Sequence, residues 1–136
     1  MADEADFYAH VVFSTKGWQP VITDEIMSEI IQRLKRNFKI KGSRLLLAKG
    51  EREHLHVLGQ FTSNLPFSRI IGWSKGECSH FLNRKYPDLN FNWQKGFWFD
   101  KVDESKLEEV ESFIVSQHDL HKEYTFNDEM GKLRKG

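Results

Sequence analysis

His54-Leu55-His56-Val57-Leu58-Gly59-Gln60-Phe61 decides how this chain reads. In an extended backbone successive side chains point to opposite faces, so Leu55, Val57 and Phe61 share one face while His54 and His56 share the other. Upstream, Arg44-Leu45-Leu46-Leu47-Ala48 reads as a strand and Gly50 to Glu53 as a turn, which predicts an antiparallel hairpin. If the Leu55 face packs beneath helices, both imidazoles project together from the opposite face. Residues two apart on a strand lie ~7 Å apart, close enough for two imidazoles to converge on one ion. Neutral imidazole nitrogens suit Mn²⁺, and Mg²⁺ is accommodated when oxygens and waters fill its other positions. The same spacing also fits two ordinary surface histidines on an edge strand.

Around this hairpin the period of the apolar residues changes. His10-Val11-Val12-Phe13-Ser14-Thr15 is a short β-rich run closed by Lys16-Gly17. From Asp24 to Lys39, Ile26, Ile30, Ile31, Leu34 and Phe38 recur three and four apart, which predicts an amphipathic helix with Thr23 as N-cap. A second helix is expected with Pro66 as its first residue, an apolar face of Phe67, Ile70, Ile71, Cys78, Phe81 and Leu82, and Pro87 as its stop. Gly96 to Val102 reads as a fourth strand. A last helix follows, with Ser105 and Glu108 spaced as a capping box and Leu107, Val110, Phe113, Ile114 and Leu120 on its apolar face. The order strand, helix, strand, strand, helix, strand, helix is that of an α+β, ferredoxin-like fold: an antiparallel four-stranded sheet with helices on one face, plus a C-terminal helix. The fold hosts many unrelated functions, so function has to be argued from residues.

At 136 residues, 29% charged and 39% hydrophobic, the chain reads as a single folded domain over 1–136, with a polar, loosely held tail at 125–136. No apolar run approaches the ~20 residues that span a bilayer, and the acidic start (Asp3, Glu4, Asp6) is unlike a signal peptide. The single Cys78 cannot form an intramolecular disulfide and fits a small core residue in a reducing, cytoplasmic setting. Formal net charge is zero, yet the charge is unevenly distributed. Arg33, Lys35, Arg36, Lys39, Lys41 and Arg44 follow one another without an acid, whereas Asp100, Asp103, Glu104, Glu108, Glu109 and Glu111 crowd the start of the last helix. A basic patch binds phosphates whatever the overall balance, although cations gathered at a helix C-terminus also make a plain solvated helix end.

Phe113 and Gln117 are four apart on the last helix and so lie on one face, one turn from each other. A glutamine carbonyl can complete a site begun by two histidines, and the residue one turn away would point at whatever that site holds. Taken separately, Gln117 fits a solvated helical glutamine and Phe113 fits core packing beside Val110 and Ile114.

Together these residues resemble a known family, the single-tyrosine HUH transposases of the smallest bacterial insertion sequences (the IS-two-hundred type), with the related REP-associated tyrosine transposases. The resemblance runs through His10-Val11-Val12-Phe13-Ser14-Thr15-Lys16, Glu53-His54-Leu55-His56-Val57, Trp73-Ser74-Lys75-Gly76, Asn92-Trp93-Gln94-Lys95-Gly96 and Phe113-Ile114-Val115-Ser116-Gln117. It implies that His54, His56 and Gln117 hold Mg²⁺ or Mn²⁺. It implies transesterification on single-stranded DNA, in which a tyrosine hydroxyl attacks the scissile phosphate, a 5′-phosphotyrosine bond forms and the 3′-hydroxyl leaves. The implied partners are a DNA hairpin near a transposon end and a second subunit, the metal-binding pair of one working with the tyrosine helix of the other. Lys16 and the run Arg33, Lys35, Arg36, Lys39, Lys41 and Arg44 are the expected phosphate contacts, with Trp18 or Trp98 available to stack on bases.

The chain departs from the family at the decisive place: Phe113 stands where the nucleophilic tyrosine is expected, so this copy is expected not to cleave DNA. Phe97 also stands where a Gly-Tyr pair is common, and Trp18 where a basic residue often follows Thr-Lys. Tyr124 would share the helix face with Phe113 but lie ~16 Å further along the axis, and Tyr8 and Tyr86 sit at element ends with no motif support. Two alternatives remain at this point, a domesticated hairpin-binding relative without catalysis and an unrelated ferredoxin-like module binding a small ligand or RNA.

Overall fold

The computed structural model describes residues 6–62 and 66–116. The expected tail at 125–136, Gln117, Leu120 and Tyr124 lie outside them. Four strands, β1 (Phe7–Ser14), β2 (Arg44–Glu51), β3 (His54–Phe61) and β4 (Trp98–Val102), form one sheet in the order β2-β3-β1-β4, with every neighbouring pair antiparallel. Helices α1 (Asp24–Ile40) and α2 (Phe67–Lys85) are the two crossovers, and α3 (Leu107–Val115) follows β4. This is the ferredoxin-like order anticipated from the sequence. None of the described helices is long and apolar enough to cross a membrane.

Alternation along the two central strands sorts the residues onto two faces. Ala9, Val11 and Phe13 of β1 and Leu55, Val57 and Phe61 of β3 pack with Ile26, Ile30, Leu34 and Phe38 of α1 and Ile70, Ile71, Cys78 and Leu82 of α2. Fully burying one such side chain stabilises the fold by roughly 1.5–3 kcal/mol, so this layer is the main hydrophobic support. The other face carries His10, Val12, His54, His56 and Leu58, all buried, with α3 laid across it so that Ile114 is also buried.

Several boundaries move for local reasons. Thr23 caps α1 as expected, its hydroxyl accepting from the Ile26 amide at 3.2 Å. Pro66 is not the first helical residue. It sits one place earlier with an extended backbone (ψ 127°), and its carbonyl accepts from the Arg69 and Ile70 amides. Ser105 makes no capping box. A 3-10 turn over Glu104–Lys106 precedes α3, closed by the Lys106 amide donating to the Asp103 carbonyl, and no side chain caps either element. The fourth strand starts at Trp98 because Gly96, at φ +80°, turns the chain first. Strand β1 begins at Phe7, and β2 reaches Glu51, leaving Arg52 and Glu53 as the turn.

Candidate metal and nucleic-acid site

β3 is an interior strand paired with β2 on one side and β1 on the other, so the edge-strand reading of His54 and His56 does not hold. Both imidazoles are fully buried, and their ring centroids are 5.1 Å apart. They project from one face, as the alternation requires. Each also has its Nδ1 engaged within the chain: His54 Nδ1 lies 3.1 Å from Glu53 Oε1, and His56 Nδ1 lies 2.9 Å from His10 Nε2. Histidines that hold metals commonly use one ring nitrogen for the ion and the other for a carboxylate or similar partner.

His10 is the residue that sequence reasoning missed. It comes from β1, two positions from Val12, which pairs with His56 in the β1–β3 ladder. Burial first, and then the neighbouring His56 imidazole, push His10 down to about 3, so it is neutral across the physiological range. The available signal was parity, since His10 alternates with Val11 and Phe13 as His54 and His56 alternate with Leu55 and Val57.

Phe113 meets this group from α3. Its ring centroid is 6.2 Å from that of His10 and 6.0 Å from that of His56, both edge-to-face. The position expected to carry the nucleophile therefore lies beside this chain's own histidine pair. A groove of about 930 Å³ opens here between β4 and α3, with Tyr8, His10, Trp98 and Phe113 among its lining. Its lining sets Asp6, Asp100, Asp103, Glu104 and Glu109 against Lys101 and Lys106, a net negative wall that favours cations over bare phosphate. Trp98 packs edge-to-face on His10 at 5.3 Å, which engages one side of its ring. Tyr86 is remote from the histidines, its hydroxyl bonded to Glu29 on α1.

The basic residues do not gather at the histidines. Arg44 pairs with Gln60 and His54 with Ser14 and Glu51, which places Arg44 and the end of α1 at the opposite end of the sheet from His54. Lys35, Arg36, Lys39 and Arg44 are exposed there, and Lys41 lies 4.5 Å over the Trp73 ring. Arg33 stands apart from them: its guanidinium is bonded to Glu77 on α2 and stacks 4.3 Å over Phe81. Lys16, also exposed, belongs to the 3-10 turn that follows β1, at the His54 end.

Another functional-looking cation was also unforeseen. Lys75, within the Trp73–Gly76 stretch, is buried, and its Nζ donates to the Gln94 and Gly96 carbonyls at 2.9 and 2.6 Å. It fastens the loop before β4 to α2.

Comparison with known proteins gives these residues a context. The transposase of insertion sequence element IS200 from Salmonella typhimurium is 25% identical over 114 residues, covering 79% of this chain and 74% of its own. The IS200 transposase of Salmonella typhi matches equally. Among solved structures, a Deinococcus radiodurans protein described as a transposase superposes with a TM-score of 0.67 at 18% identity, over 82% of this chain and 91% of its own. A REP-associated tyrosine transposase bound to a REP hairpin superposes with a TM-score of 0.68 at 13% identity, over 85% and 68%. Those two likenesses concern the fold. The sequence model described as "Transposase IS200 like" matches residues 4–117, which spans β1 to β4, α1 to α3 and both halves of the candidate site, and the chain therefore belongs to the IS200-like transposase family.

Proposed function

We propose that this chain binds hairpin-forming single-stranded DNA and a divalent cation, Mg²⁺ or Mn²⁺, and that it cannot itself form a phosphotyrosine bond. The observation that carries the reading is the placement of the Phe113 ring 6.0 Å from the His56 imidazole, where the family's nucleophile would act. Family membership sets aside the unrelated ferredoxin-like module. A solved relative in fold holds a REP hairpin, which supports a hairpin as the DNA form.

His54 and His56 fit a metal-binding role, with Glu53 and His10 beside their Nδ1 atoms and an acidic groove opening at the neighbouring His10. Gln117 is the proposed third ligand. Bound there, the cation would polarise a phosphate oxygen as a Lewis acid. Phe113 supplies shape and no oxygen, so it cannot attack phosphorus in the tyrosine's place. Lys35, Arg36, Lys39, Lys41 and Arg44 are proposed as phosphate contacts for the hairpin stem, and Lys16 for a strand nearer the histidines. Arg33 contributes mainly by holding α1 to α2. We further propose a homodimer with shared sites, in which a second copy covers one of the edge strands β2 and β4.

Phe113 favours a second reading within the same family, a hairpin-binding protein that no longer moves DNA. Incubating the protein and its Phe113→Tyr variant with hairpin-bearing single-stranded DNA and Mn²⁺ tests both. A covalent adduct from the variant alone supports an intact site lacking one hydroxyl. An adduct from the unaltered chain overturns the cleavage deficiency. Hairpin binding without an adduct from either protein favours the binding-only relative, and no binding by either overturns the DNA reading.

A further inference from the structure

Three histidines meet on the second face of the sheet, and the bond between two of them carries a consequence for the third ring nitrogen. His10 and His56 lie diagonally across the β1–β3 ladder, stacked with an interplanar angle of 27° and centroids 5.1 Å apart. The bond His10 Nε2 to His56 Nδ1 is 2.9 Å and buried. A neutral imidazole has one N–H donor and one acceptor nitrogen, so a single proton sits between these two atoms. If His10 donates it, His56 keeps its own proton on Nε2, where it obstructs coordination. If His56 donates from Nδ1, its Nε2 carries a lone pair.

His54 presents the same choice already resolved. Its Nδ1 faces the Glu53 carboxylate at 3.1 Å, and an ionised carboxylate only accepts. His54 is thereby held with its proton on Nδ1 and its lone pair on Nε2. A pair acting on one ion needs both rings in that form. The group beside the His56 Nδ1 is not a carboxylate but a buried imidazole, walled by Trp98 at 5.3 Å and Phe113 at 6.2 Å, where a second charge would be poorly solvated.

We propose that His10 is a positioning residue for His56: its Nε2 accepts the His56 Nδ1–H and so fixes His56 in the tautomer whose Nε2 can ligate a divalent cation. The choice of tautomer and its link to coordination both rest on the metal-site reading above, while the spectra read the tautomer without any metal present. One pair would thus be oriented by two chemically different acceptors, Glu53 for His54 and His10 for His56.

The test uses the metal-free, ¹⁵N-histidine-labelled protein, in which long-range ¹H–¹⁵N spectra distinguish the two tautomers of His56. His10→Leu removes the acceptor, and His10→Gln restores an oxygen near the Nε2 position. The expected result is His56 protonated on Nδ1 in the unaltered and His10→Gln proteins, with the Nε2-protonated form appearing in His10→Leu. Calorimetric Mn²⁺ titration should then show weakening of about 10- to 100-fold in His10→Leu and recovery in His10→Gln. His56 protonated on Nε2 in the unaltered protein overturns the inference, as does an unchanged tautomer in a folded His10→Leu. Should His10→Leu fail to fold, the tautomers of the other two proteins decide. If the tautomers behave as expected but the unaltered protein binds no Mn²⁺, the metal-site reading falls and the positioning role of His10 stands.

Discussion

The Phe113 ring and the His56 imidazole meet edge-to-face, their centroids 6.0 Å apart and their planes at 70°. The contact joins the helix that would supply a nucleophile to the strand that would supply metal ligands. Phe113 is half-buried and lines an open groove, so there is room near it for one added oxygen.

Phe113→Tyr is therefore expected to keep its stability within about 0.5 kcal/mol, while Phe113→Ala, which removes the ring from His10 and His56, should lose about 1–2 kcal/mol. Urea denaturation of the three proteins checks this. A large loss in Phe113→Tyr would mean that the ring has no space for a hydroxyl, and that Phe113 is there to pack.

Glu77 joins the two helices behind the sheet. It accepts from Arg33 and from Asn37 Nδ2, the latter at 2.8 Å, and Asn37 is fully buried. Burial pulls the Glu77 carboxyl upward, but the bonds from Arg33 and Asn37 outweigh it and hold the carboxyl below its ordinary value of 4.5. The unfolded chain thus takes up this proton before the folded one does. The stabilisation is fully present above pH 4.5 and is lost as pH falls through the lowered folded value. Glu77→Gln should cost about 1–2 kcal/mol at pH 7, and the gap from the unaltered protein should close in acid. A gap independent of pH, measured by urea denaturation at pH 7 and 3.5, would contradict this account.

The β3 face was legible because a period of two needs no knowledge of partners: Leu55, Val57 and Phe61 against His54 and His56 is a local pattern. The ladder was not legible, and His10 with it, because the register that sets Val12 opposite His56 is fixed by tertiary alignment. Arg33 could not be separated from the rest of its basic run for the same reason, since Glu77 is 44 positions away in sequence. Ser105 and Glu108 failed as a capping box because the spacing does not distinguish a helix start from a 3-10 turn that delays it. The family motifs singled out the histidine pair, but they could not show that it is wholly buried.

Lys75 holds the loop ahead of β4 through the Gln94 and Gly96 carbonyls, and burial lowers its ammonium from the ordinary value of 10.5. Between the lowered folded value and 10.5 the unfolded chain binds a proton that the folded chain does not, so stability from this group rises with pH there. Lys75→Met should lose about 1–2 kcal/mol at neutral pH, with the deficit widening toward alkaline pH. Its Gln94 amide, which donates to the Ser14 carbonyl at 2.7 Å, should exchange hydrogen faster. Unchanged Gln94 exchange in the variant would show that Lys75 does not secure this loop.

Gly50 is the position where the hairpin leaves least room beside the histidines. A Cβ there would stand 2.8 Å from the Leu55 Cα and against the His54 carbonyl, both of them backbone that cannot swing aside. Gly50→Ala must therefore spread β2 from β3 at the strand end that carries His54, at a cost of about 2–3 kcal/mol. Gly76, in the middle of α2, is the opposite case: nothing lies within 4 Å of its Cβ position. Gly76→Ala removes backbone freedom from the unfolded chain without a clash and should stabilise by about 0.5–1 kcal/mol. Thermal melts of the two variants should move in opposite directions. Histidine spectra should change around His54 in Gly50→Ala alone. If Gly50→Ala melted like the unaltered chain, the hairpin would not be as close as 2.8 Å implies, and the tight spacing that fixes His54 beside Glu53 would lose its support.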